Sequence, residues 1–70
     1  MNSEHSGLPR WNRARIVFES APVDAPRATA RRSASFLVYG DTEFAVLRAL
    51  KKLFPHHTEF TILDLQLTGL

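Results

Sequence analysis

One amphipathic helix, marked at both ends, sets most of what this chain can fold into. From Thr42 to Phe54 the residues are good helix formers. Asp41 or Thr42 can accept a hydrogen bond from a free N–H of the first turn, and Glu43 suits the positive end of the helix. Lys51 and Lys52 suit the negative end, and Pro55 marks the stop. At about 100° per residue, Val46, Ala49, Leu50 and Leu53 share one face with Leu47 and Phe54 at its shoulder, while Arg48, Lys51 and Lys52 gather opposite. A single helix can cover only one face of a sheet.

The rest of the chain supplies that sheet. Arg15 to Glu19 and Ser35 to Tyr39 are short runs rich in β-branched and aromatic residues, and Glu59 to Leu67 alternates apolar with polar. The first run ends at Ser20-Ala21-Pro22 and the second at Gly40-Asp41. Ser20 to Arg32 reads as a basic loop, because Pro22 and Pro26 forbid a continuous ladder. On strict alternation the third strand carries Thr61, Leu63, Leu65 and Leu67 on one face, and Phe60, Ile62, Asp64 and Gln66 on the other. The sequence therefore predicts an α+β fold: a small antiparallel three-stranded β-β-α-β sheet with one helix packed on one face. Sheet order 2-1-3 keeps neighbours antiparallel, whereas order 1-2-3 sets strands 2 and 3 parallel through a helical crossover. The expected organisation is a flexible tail over 1–13, one domain over 14–67 with the loop at 20–32, and a frayed end at 68–70.

Seventy residues allow a single small domain. Such a chain buries about 60% of its extended surface, so a partner or second copy would help its core. Both parities of the first two strands carry large apolar groups, Ile16 and Phe18 against Val17, and Phe36 and Val38 against Leu37 and Tyr39. A second apolar face of this kind points to docking on a larger protein or to a homodimer.

The catalytic inventory is thin, and the chain reads as a protein that is not an enzyme. It lacks cysteine, and with it disulfides, thiolate metal sites and thiol nucleophiles. No nucleophile elbow, P-loop, dinucleotide-binding glycine motif or H-E-x-x-H is present. Asp41 and Glu43 occupy the positions that helix capping needs. Ser33, Ser35 and Tyr39 have no base specified near them. His56-His57 forms a polar turn whose neighbouring side chains point apart, so neither a metal nor a cofactor is expected. No run approaches the roughly 20 apolar residues of a membrane span, and the first residues lack a signal-peptide pattern, so the expected location is cytoplasmic.

The net charge is +2, unevenly placed. Residues 1–32 hold six arginines against Glu4, Glu19 and Asp24, whereas residues 33–70 hold Arg48, Lys51 and Lys52 against four acids. Arginine forks suit phosphate and carboxylate partners. The candidate partner-binding residues are Arg27, Arg31 and Arg32 in the loop, Arg48, Lys51 and Lys52 on the helix, and Trp11 and Phe44 as aromatic anchors. For both aromatics a structural role is the favoured alternative, Trp11 closing the rim of the core and Phe44 folding back onto a strand end.

The short Phe36 to Tyr39 strand, the capped Thr42 to Phe54 helix and the Glu59 to Leu67 strand resemble, in architecture and size, small phage-encoded inhibitors of the anti-CRISPR kind. That resemblance spans about half the chain and transfers no individual residue. It implies a non-catalytic protein that blocks a functional surface of a larger nucleic-acid-handling complex. Two alternatives stand beside it: a basic module that binds DNA or RNA directly, through Arg10, Arg13, Arg15 and the loop arginines with Trp11, Tyr39 or Phe44 stacking on bases, and a structural homodimeric subunit.

Overall fold

A computed structural model describes residues 10–70. Strand β1 (Trp11–Pro22) is followed by β2 (Ala30–Tyr39), helix α1 (Glu43–Leu53) and β3 (His57–Gly69). All three strands join one antiparallel sheet in the order β2-β1-β3. The fold is thus the small α+β architecture that the sequence predicts, with the first strand in the middle.

The strands are longer than their β-branched cores suggest. Trp11 to Arg13, expected in the tail, pair with Tyr39 to Leu37, and Ala30 to Arg32, expected in the loop, pair with Ser20 to Phe18. Cross-strand pairing carries these polar ends into the sheet, where propensity alone leaves them outside. Pro22 ends β1 without breaking its ladder, and Pro26 lies in the connecting turn. The connection shortens to residues 23–29, held by Ala25 N–H to Pro22 C=O at 3.0 Å and Ala28 N–H to Ala25 C=O at 2.9 Å. Thr68 and Gly69, expected to fray, close the ladder against Arg13 and Asn12. The tail expected over residues 1–9 lies outside the described residues.

Helix α1 is capped as its sequence dictates. Thr42 Oγ1 accepts from Ala45 N–H at 3.1 Å, and Phe54 N–H reaches back to Leu50 C=O at 3.0 Å. Val46 and Leu50 are fully buried, with Ala45, Leu47 and Ala49 packed around them. Leu53, expected on the buried face, is half exposed, because the helix ends there and the chain turns away at Phe54.

The core lies between α1 and the even-numbered residues of β1, namely Ala14, Ile16 and Phe18. Phe18 is its hub. It is wholly buried, meets Phe54 edge-on at 5.5 Å and stacks on Phe60 at 6.2 Å. Burying a side chain of that size contributes about 1.5–3 kcal/mol.

The faces of β3 differ from strict alternation, and a bulge is the reason. Val17 pairs with Asp64 but the next residue, Phe18, pairs with Ile62, so Leu63 is an extra residue in β3. The shift brings Leu65 and Leu67 onto the same face as Phe60 and Ile62, against the core. A second irregularity lies where Glu19 pairs with Thr61 and Ala21 with Thr58, and there Glu59 adopts a left-handed φ of 59°.

Candidate functional site

The helix leaves one sheet face open, and its side chains follow from the register. Across the sheet in the order β2, β1, β3 it presents Leu37, Arg13 and Thr68, then Ser35, Arg15 and Gln66, then Ser33, Val17 and Asp64, then Arg31, Glu19 and Thr61. The middle is polar. A continuous second apolar face is therefore corrected to an apolar end, because alternation along β2 gives Tyr39 and Leu37 to this face but small serines further along.

At that end Trp11 and Tyr39 face each other across β1 and β2, with ring centroids 5.2 Å apart and planes at 66°. Trp11 is 54% exposed, Tyr39 55% and Leu37 48%. Trp11 does not close the rim of the core; it belongs to the open face, because odd positions of β1 point away from α1. An open hollow runs from this trio over the β2 edge to Arg48 and Lys52 on α1, floored by Ala45 and Ala49. Exposed Arg10 precedes the corner, and Arg13 lies next along β1. An aromatic and apolar corner is thereby ringed by cations, and its nearest carboxylate in sequence is Asp41, in the turn after Gly40.

The loop arginines do not act together. Arg27 is exposed in the connection, Arg31 lies opposite Glu19 on the open face, and Arg32 points to the helix side. There Arg32 Nε donates to Ser20 Oγ at 2.9 Å. Ser20 is wholly buried, and its Oγ also shares a 2.9 Å hydrogen bond with His57 Nδ1. With one lone pair of Oγ filled by Arg32, the hydroxyl proton is free to go to His57. The arrangement juxtaposes a serine and a histidine, yet the hydroxyl is sealed from any substrate and serves to tie the sheet ends together. Sequence reasoning assigns His57 to a polar turn, whereas it begins β3 and pairs with Ser20; no local pattern points to a pair formed by the fold.

Phe44 does not fold back onto a strand end. It is 68% exposed, with the Arg48 guanidinium 5.7 Å from its ring centroid, beside a small hollow lined by Leu47, Phe60 and Ile62. Lys51 is exposed and Arg48 is shared between Phe44 and the corner. Of the candidate residues, the fold thus joins Trp11, Arg48 and Lys52 at one place, adds Tyr39, Leu37 and Arg13 to them, and sends Arg27, Arg31 and Arg32 elsewhere.

Among the described residues no group of three or more His, Cys, Asp or Glu is placed to hold a metal ion, and no helix is long and apolar enough to cross a membrane. In comparisons with known proteins the chain matches no family model, no curated protein and no solved structure.

Proposed function

We propose that this is a non-catalytic binding protein that occupies an acidic functional surface of a larger complex, using the corner formed by Trp11, Tyr39 and Leu37. The observation that carries the reading is the composition of that corner: exposed tryptophan and tyrosine in direct contact, with Arg48 and Lys52 on the facing wall of the same hollow. Tryptophan, tyrosine and arginine are the residues that concentrate binding energy at protein interfaces, and the cations select an acidic partner. Blocking a surface of a nucleic-acid-handling complex, in the manner of a small anti-CRISPR-type inhibitor, is the instance of this activity that the architecture suggests.

A second reading has its own observation. Arg13 and Arg15 follow Trp11 at alternate positions on the open face, a spacing that lets a single strand of DNA or RNA stack on the aromatics and lay phosphates along the arginines. Fluorescence anisotropy against short single- and double-stranded DNA and RNA, at about 50 and 200 mM salt, separates the two. Absence of binding at low salt, with capture of a partner by the unaltered protein but not by Trp11→Ala, supports the protein-blocking reading. Salt-sensitive binding of nucleic acid at micromolar concentration or below, lost in Arg13→Glu, replaces it with the second.

A further inference from the structure

The open edge of β2 carries a further site. Gly40 N–H donates to Arg10 C=O at 2.7 Å, and these residues stand opposite one another one step beyond the Trp11–Tyr39 pair. Directly opposite residues of an antiparallel ladder exchange hydrogen bonds at every second position. The even-numbered residues of β2 therefore bond to β1. The N–H and C=O groups of Arg31, Ser33, Ser35, Leu37 and Tyr39 point the other way, along the sheet edge. The β1 side agrees: Trp11 C=O accepts from Leu70 N–H on the β3 side, as an odd position should. Among the described residues β1 is the sole sheet neighbour of β2.

The two outer edges of the sheet differ in how they treat a further strand. β3 carries two register irregularities, a left-handed Glu59 and the charge of Asp64, all features that discourage pairing. β2 runs in unbroken register from Ala30 to Tyr39, without bulge or proline. It has no acidic residue; Arg31 lies at one end, and Arg48 and Lys52 stand over the other.

We propose that β2 accepts an extended acidic peptide segment as a fourth strand. The partner's backbone would bond to the five outward positions, and carboxylates at its alternate positions, all on the helix side, would meet Arg48 and Lys52. A second copy fits less well, because pairing β2 with itself sets the Arg48 and Lys52 of each copy beside the same seam. The inference takes the acidic protein partner from the proposed function and adds the backbone edge as the place it docks.

The test uses the full chain and two blocked ten-residue peptides, one alternating Glu and Thr, the other Lys and Thr. The expected result is that the Glu-Thr peptide alone slows hydrogen exchange at the amides of Arg31, Ser33, Ser35, Leu37 and Tyr39. Ser35→Pro removes one outward donor without touching the ladder to β1, and should weaken binding about tenfold or more. The Arg48→Glu, Lys52→Glu double variant, which alters only exposed side chains, should reverse the preference between peptides. Equal binding of both peptides, no binding at about millimolar concentration, or binding that survives Ser35→Pro overturns the proposal. So does protection of those five amides in the free protein, since a second copy or another segment of the chain would then fill the edge. Binding that shifts Trp11 and Tyr39 but leaves the β2 amides unprotected removes the fourth strand and keeps the corner. Protection of those amides that is unchanged by Trp11→Ala keeps the fourth strand and removes the corner.

Discussion

Ser20 and His57, separated by 37 residues in sequence, are joined by a hydrogen bond of 2.9 Å that also links the central strand to the start of β3. Arg32 on β2 shares the same hydroxyl, so one buried oxygen fastens all three strands at the end of the sheet remote from Trp11. Replacing Ser20 with Ala leaves a guanidinium N–H and an imidazole nitrogen without their partner, at a loss of about 1–3 kcal/mol. Urea titration followed by circular dichroism measures it. An unchanged midpoint would mean that water replaces the hydroxyl and that the fastening is not structural.

Phe18 and Phe44 are chemically identical and should behave oppositely. Truncating Phe18 to Ala removes the hub between Phe54 and Phe60, at about 3–5 kcal/mol, enough to unfold a domain of this size. Phe44→Ala, at an exposed position, should shift stability by no more than about 0.5 kcal/mol. Thermal melts of both variants decide the matter, and a large loss at Phe44 would place it in the core.

Among the described residues two backbone positions have left-handed φ, and they call for opposite substitutions. Gly40 sits at φ 107°, and an added Cβ would lie 3.7 Å from Ala45 Cβ, an ordinary contact. The penalty of Gly40→Ala therefore comes from the backbone alone, about 1–2 kcal/mol. Glu59 sits at φ 59° with a side chain, so Glu59→Gly should raise stability by up to about 1 kcal/mol. Paired denaturation curves for the two variants, moving in opposite directions, are the expected outcome.

The bulge makes a deletion tolerable where deletions are usually ruinous. Removing Leu63 takes out the extra residue and leaves Ile62, Leu65 and Leu67 on the core face. Removing Gln66 instead either sends Leu67 outward or, if Leu67 holds its place and the bulge closes, sends Leu65 outward and Asp64 into the core opposite Ile16. Amide spectra should stay dispersed for the first deletion and collapse for the second.

Helix α1 was legible in the sequence almost to the residue, because its cap, its amphipathic face and its stop are all local signals. The sheet order was legible too, since a helix between strands 2 and 3 leaves antiparallel neighbours only in the arrangement β2-β1-β3. The faces of β3 were not. Alternation runs true from Leu65 back to Leu63 on paper, and only the register against Val17 and Phe18 reveals that Leu63 is additional. The candidate site was legible in its residue types and not in its grouping. Trp11 and Arg48 were candidates for separate reasons, whereas Tyr39 and Leu37 join them because β1 begins earlier than its β-branched run and so carries Trp11 alongside β2. Arg32 looked like its neighbour Arg31, but one step along a strand reverses the side chain and turns it toward Ser20.

The central place of β1 has a consequence for how the molecule is made. Its two neighbours both follow it along the chain, and Asn12 meets its β3 partner only when Gly69 arrives. Hairpin formation with β2 can come early, through a short connection. The second edge of β1, and the floor of Leu65, Leu67 and Phe60 on which α1 completes its packing, must wait for the most distant segment. Closure over so many intervening residues slows the search for the native state. During that interval the unfinished hairpin exposes Ile16 and Phe18 with an unpaired edge beside them, so strand exchange between molecules competes with folding at this one step.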